Sequence, residues 1–345
     1  MSTWRLRGGS AAATLAALAA LPAMAADPVK LRVADSFPSG HYLTKVIIQP
    51  WMAEITKRTN GAVTFEYFPS QQLGKATDML TLTQTGVTNI GYVAPAYTSE
   101  KMPLSEAAML PGAFQTSCQG TMAYAKAARE GAIAAQDYTS NKIRLLTAVA
   151  LPPYQILTVK APVKTEADLK GLKLRSTGGA QDLTLRTVGS VPVRMAAPET
   201  YESLSRGTLD GVLFPLDSVV SYNVEKLVRY STEGANFSSF IVAYSISDAA
   251  WNGLSAEVKK VITEVSDEIT KSACASVDQQ DAEIKQKLKD AGVQFLPIST
   301  EFKGKLDEML KDVATQWSKG LDTRGRKGSA ALAEFRQAVA EQIKK

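Results

Sequence analysis

The chain has one histidine, His41, and two cysteines, Cys118 and Cys274, and these scarcities remove whole classes of chemistry. A single imidazole cannot build a His-based metal cage, and it leaves a Ser-His-Asp triad with one candidate base. The cysteines stand far apart, in neither a CxxC pair nor a metal-ligand spacing. An exported chain could bridge them; two unbridged, half-buried thiols fit the sequence as well. Catalytic signatures are missing too: no G-x-S-x-G elbow, no H-E-x-x-H, no G-x-G-x-x-G after a strand. The run Gly320-Leu-Asp-Thr-Arg-Gly325-Arg326-Lys327 follows a phosphate-binding loop for five positions, then places its Lys one position late. No enzyme, cofactor or bound metal is expected.

Strong charge of one sign is also lacking. The formal net charge is +5, with acids and bases interspersed and no Lys/Arg stripe carrying interleaved aromatics, so nucleic acid is not an expected partner. Arg324, Arg326 and Lys327 read as a solvated loop. The one long apolar run is N-terminal: Arg5 and Arg7 precede Ala11 to Leu21 and an Ala23-Met24-Ala25 site, the pattern of an export signal covering residues 1–25. That run is too short to span a bilayer core, which needs roughly 20 residues. Cleavage leaves about 320 residues and a charge of about +3, enough chain for two cores. The expected fate of the chain is export.

What is present is a βαβ rhythm, twice. Strands over Lys30–Phe37, Ala62–Phe68 and Asn89–Val93 alternate with helices over His41–Thr59 and Lys75–Thr85, and one helix is expected from Cys118 to Asp137. Ile143 to Val159, broken by Pro152-Pro153, reads as two strands crossing between lobes. A second series follows: Leu172–Arg175, Ala180–Val188, Val191–Met195, Glu199–Arg206 and Gly211–Leu216. Ser255 can cap a long helix whose Val258, Val261, Ile262, Val265 and Ile269 share one face. Running to about Asp290, it would reach about 50 Å and bridge both lobes. The expected fold is α/β, two similar lobes with a cleft between them. Lobe I takes 26–150 with about 236–270 returning to it; lobe II takes 151–235 with about 271–345.

Arg175 ends a strand in Asp168-Leu-Lys-Gly-Leu-Lys-Leu-Arg175-Ser-Thr-Gly-Gly179. Ligands gather at the carboxyl ends of strands in open α/β sheets, and a guanidinium there can fork onto a carboxylate. The plainer alternative is an Arg exposed at a strand end.

This run resembles the extracytoplasmic solute receptors of tripartite ATP-independent periplasmic (TRAP) transporters, the DctP type. So do Thr59-Asn60-Gly61-Ala62-Val63, Phe68-Pro69-Ser70-Gln71-Gln72-Leu73-Gly74, Gly189-Ser190-Val191-Pro192-Val193, Glu199-Thr200-Tyr201-Glu202-Ser203-Leu204 and Gly207-Thr208-Leu209-Asp210-Gly211, in that order behind a signal. The resemblance implies a periplasmic binding protein fold, a monomer located in the periplasm with two lobes joined by hinge strands and closing over an organic acid whose carboxylate pairs with Arg175, and delivery to membrane-embedded permease subunits without ATP. One departure stands out: where such receptors often carry Gly-Gln-Glu-Asn-Pro, this chain reads Gly211-Val212-Leu213-Phe214-Pro215. A phenyl ring in place of an amide stacks rather than donates, which favours a monocarboxylate with an apolar or aromatic body over C4-dicarboxylates or sugar acids; the alternative is Phe214 in the lobe core. Ser39, His41 and Tyr92 are expected to offer neutral hydrogen bonds from the other lobe, with Tyr154 and Asp217 facing the cleft. Tyr97, Trp51 and Trp251 read as core. A receptor for an ATP-driven importer and a secreted α/β enzyme are the competing classes.

Overall fold

The computed structural model describes residues 1–3 and 28–344; residues 4–25 of the expected export signal, with its cleavage site, lie outside them. Two sheets organise the chain. Sheet I has the order β2-β1-β3-β10-β4, formed by β1 Val29–Ala34, β2 Val63–Phe68, β3 Ile90–Tyr92, β4 Ile143–Ala150 and β10 Ile241–Ser247. Sheet II has the order β11-β9-β5-β8-β6-β7, formed by β5 Gln155–Thr158, β6 Lys173–Ser176, β7 Val191–Arg194, β8 Gly211–Phe214, β9 Tyr230–Glu233 and β11 Gln294–Pro297. β1, β2 and β3 run parallel while β10 enters antiparallel between β3 and β4. β6 is parallel to β7 and β8, and β5 is antiparallel to β8 and β9. All seven residues of β10 are buried, as befits a strand covered on both faces.

Helices flank the sheets: α1 Gln49–Arg58, α2 Met79–Gln84, α3 Ser117–Ala127, the single turn α4 Gly131–Ile133, α5 Gly179–Thr187, α6 Thr200–Ser205 and α7 Leu216–Ser221. Then come α8 Asp248–Asn252, α9 Ala256–Asp290, α10 Thr300–Leu310, α11 Val313–Asp322 and α12 Gly328–Ile343. α9 serves both lobes. Its first half is tied to lobe I by the Trp51 indole, which donates to Ser266 Oγ at 2.9 Å, by the Thr147 and Thr270 hydroxyls 3.0 Å apart, and by the Cys118–Cys274 disulfide. Its second half meets lobe II through the Lys285–Glu233 ion pair, with Lys285 5.4 Å from the Phe295 ring centroid. The chain therefore crosses between the lobes at residues 151–154, at 234–240, along α9 and again between α11 and α12.

Two expectations are corrected. The helix expected from Cys118 to Asp137 breaks after Ala127 because Gly131 is left-handed (φ +78°) and Glu334, arriving from α12, accepts the Ala132 amide at 2.8 Å. A Cβ on Gly131 would run into that same carboxylate. The C-terminal helices do not all stay with lobe II: α10 and α11 pack on α5, but α12 returns to lobe I against α3 and α4, where Lys126 pairs with Glu341 at 2.7 Å.

Candidate functional site

The parallel register Arg175↔Val212 puts both side chains on one face of sheet II, and Phe214, two residues past Val212, shares it. The guanidinium consequently reaches forward along the strand and lies over the Phe214 ring, Cζ 4.8 Å from the centroid. Arg175 is 1% exposed. Its Nη2 is 3.5 Å from the Tyr97 hydroxyl, which also accepts the Ala197 amide at 3.1 Å. Nε and Nη1 have no hydrogen-bond partner. A buried permanent cation whose Nε and Nη1 are unpaired, each forming an edge with the amino group of Nη2, is suited to a carboxylate laid along one of those edges.

Rings from both lobes enclose this group. Phe37 and Tyr92, at the carboxyl ends of β1 and β3, stack at 4.5 Å; Phe37 touches His41 at 4.4 Å; His41 meets the edge of Tyr222 at 5.2 Å; Tyr222 meets Phe214 at 6.1 Å. Tyr97 packs on Phe240 at 5.3 Å. The Tyr154 and Tyr222 hydroxyls both feel the charge of Arg175 and of Asp217. Burial pushes the phenols of Tyr92, Tyr154 and Tyr222 well above their ordinary range, so they stay neutral donors. Burial likewise pulls His41 down to about 3. Its Nδ1 accepts the Leu43 amide at 3.1 Å, which places the proton on Nε2, and Nε2 is buried without a partner.

Asp217, in the first turn of α7, is 7% exposed and is pushed up to about 7, first by burial and then by the neighbouring Asp281, against the pull of the Ser218 amide and hydroxyl. Neither of its oxygens closes a hydrogen bond of good geometry. Asp35 lies under the lobe I wall, accepting the Tyr67 hydroxyl at 2.6 Å and the Tyr244 hydroxyl at 2.9 Å, and burial raises it to about 6.

Ring contacts link Arg175, Phe214, His41 and Tyr92 through Tyr222 and Phe37, and Tyr154 and Asp217 lie within electrostatic reach of that group. Ser39 is corrected: it is exposed on the turn at Gly40 (φ +87°), which sends His41 inward and Ser39 out. Gln71 is used locally, accepting the Ala76 amide at 2.9 Å. Tyr97 is not simply core, since it touches the guanidinium. Phe37, Tyr222 and Phe240 carry no sequence signal of their own; Phe37 lies between β1 and His41, while Tyr222 and Phe240 follow α7 and precede β10 without any motif. Trp51 is core, and Trp251 is half-buried with Arg144 6.0 Å from its ring centroid.

A two-lobed α/β receptor with a buried guanidinium between its lobes defines the class, and comparison with known proteins gives the family. The chain belongs to the bacterial extracellular solute-binding proteins of family 7, the DctP type, whose family model matches residues 33–320. A TRAP periplasmic solute-binding protein of Bordetella bronchiseptica, solved with bound (R)- and (S)-mandelate, is 27% identical with a TM-score of 0.83, covering 91% of this chain and 100% of that one. A TRAP solute-binding protein of Rhodoferax ferrireducens, in complex with copurified benzoate, shares the fold at 23% identity and a TM-score of 0.85, covering 92% and 99%. The C4-dicarboxylate-binding periplasmic protein DctP of Rhodobacter capsulatus is 25% identical over 354 residues, covering 99% of this chain and 100% of the relative. The protein is thus a substrate-binding component of organic acid transport and not an enzyme. Its family works with TRAP permeases on small organic acids.

Proposed function

We infer that this receptor captures a monocarboxylate with an aromatic body, exported to the periplasm after loss of a signal ending near Ala25. The observation that carries the reading is Arg175, buried, with Nε and Nη1 free and its face against Phe214. Among the described residues it is the only buried cationic side chain. One cation in a ring-lined enclosure accommodates one carboxylate; a second would be left buried and unpaired, at a cost of several kcal/mol. The half-ionised Asp217 at the border adds repulsion rather than a partner. His41 Nε2–H and the neutral phenols of Tyr92 and Tyr154 can bond a hydroxyl or keto oxygen elsewhere on the ligand. The mandelate-bound relative, carrying a carboxylate, a hydroxyl and a phenyl ring on its ligand, supports the same reading. The dicarboxylate named for the Rhodobacter capsulatus relative is the second reading, and the single buried cation disfavours it.

Calorimetry and thermal shift on the mature protein with mandelate, benzoate, phenylacetate, malate, succinate and galacturonate test the inference. Stabilisation by about 2.7 kcal/mol at a hundredfold excess over Kd is expected for the aromatic monocarboxylates. Tighter binding of malate or succinate overturns it.

A further inference from the structure

One stretch of lobe I, Tyr97 to Glu106, makes a row of contacts to lobe II: Tyr97 with Arg175 and with the Ala197 amide, Glu100 with Arg194 at 2.9 Å, and Glu106 with the Ala180 amide at 2.9 Å. The Glu100–Arg194 pair is exposed, and such pairs contribute little. Glu106 is of another kind, being 3% exposed. Its Oε2 accepts an amide in the first turn of α5, five residues after the clamp, and Oε1 closes no hydrogen bond. The Ser99 hydroxyl, the Trp317 indole and the Arg194 guanidinium surround it, and burial holds its carboxyl above the usual range. The free amides and dipole at a helix start favour an anion there. Gly179 is left-handed (φ +51°), and a Cβ on it would run into the Glu106 carboxylate. The glycine turn after Arg175 therefore also makes room for lobe I.

We propose that Glu106 is a positioning residue for ligand capture: it seats lobe I on the α5 amide and holds the Arg175 turn in its ligand-gripping orientation as the lobes meet. Glu106 acts through that turn and touches no ligand. Apparent Kd is the intrinsic Kd divided by the fraction of protein in the competent state, so loss of the seat weakens every ligand by one common factor and leaves their ranking alone. The proposal rests on the reading of Arg175 as the carboxylate clamp.

The test uses the mature, disulfide-bonded protein with mandelate, benzoate and phenylacetate as probes. Glu106→Ala is expected to weaken all three alike, by roughly tenfold and mainly through faster release. Glu106→Gln keeps an acceptor of the same shape on the Ala180 amide and should restore wild-type affinity. Gly179→Ala should reproduce the uniform loss, and adding Glu106→Ala should weaken binding little further, because the two substitutions remove one contact. Losses differing between ligands by more than about threefold, strictly additive effects in the double variant, or a lower melting temperature of the empty protein with unchanged affinity each overturn the proposal. Failure of the clamp reading is distinguishable: Arg175→Ala would then leave binding intact, whatever Glu106 does.

Discussion

Replacing Arg175 by Met separates the cost of the buried cation from its use. In the closed protein the guanidinium leaves Nε and Nη1 without partners at 1% exposure, an arrangement unfavourable for folding and compensated only by the Phe214 face at 4.8 Å and the Tyr97 hydroxyl. Methionine keeps most of the apolar stem and its contact with the ring while removing the unpaired charge. The empty variant should therefore melt no lower than wild type. Binding should collapse, because two charge-assisted hydrogen bonds disappear and the ligand carboxylate is left buried among rings, a loss of roughly 3 to 5 kcal/mol or a hundredfold to several thousandfold in Kd. In a thermal-shift assay with mandelate at a hundredfold excess over the wild-type Kd, wild type should gain about 5 °C and Arg175→Met nothing. Retention of affinity within about threefold, or lost binding only together with a lower melting temperature of the empty protein, would refute the reasoning that this residue is held for a carboxylate.

Phe214→Asn should weaken aromatic acids by about 1 to 3 kcal/mol and raise the relative affinity for polar acids; a calorimetric panel with unchanged ranking and a destabilised empty protein would place the ring in the core alone. Asp137 is fully buried, accepts the Ser105 amide at 2.6 Å and is raised to about 7 by burial. Its folded value lies above the unfolded one, so its stability contribution is complete below about pH 4 and is lost as pH rises through 7. Wild type should thus resist urea better at pH 5 than at pH 8, and Asp137→Asn should shrink that difference by about 1 to 3 kcal/mol without abolishing it, since Asp35 and Asp217 titrate in the same direction; an identical pH difference in the variant contradicts the assignment. The Cys118–Cys274 bridge closes a separation of 156 residues, and the double Ser variant should lose about 2 to 4 kcal/mol of unfolding free energy in urea. Equal urea midpoints for the two proteins would remove the bridge from the account of stability.

What could be read in the chain was local. Arg175 stands out as the candidate clamp because an apolar strand running into Gly178-Gly179 is a contiguous pattern, and α9 shows because its apolar period is unbroken over several turns. The family resemblance rests on runs of the same kind. What could not be read depends on chain that is distant in sequence. Gly131 breaks a helix only because Glu334 arrives to cap the next one. Ser39 and His41 are separated by one glycine, and the sense in which that turn rotates decides which of them the lobe buries. Tyr97, Tyr222 and Phe240 look like ordinary core aromatics until two lobes are set face to face, and no periodicity within either lobe reports that facing.

The position of β10 has a consequence for how the molecule comes into being. It is an interior strand of sheet I, paired on both sides, yet it is made of residues 241–247. The first 150 residues can therefore assemble β1, β2 and β3 but cannot join them to β4, whose one partner in the sheet among the described residues is β10. Such long-range pairing is slow and delays cooperative folding until most of the chain is present. For a family whose members work outside the cytoplasm, that delay keeps the N-terminal half pliable while the rest of the polypeptide is still being made. The strand that completes the first sheet also acts as a timer on its folding.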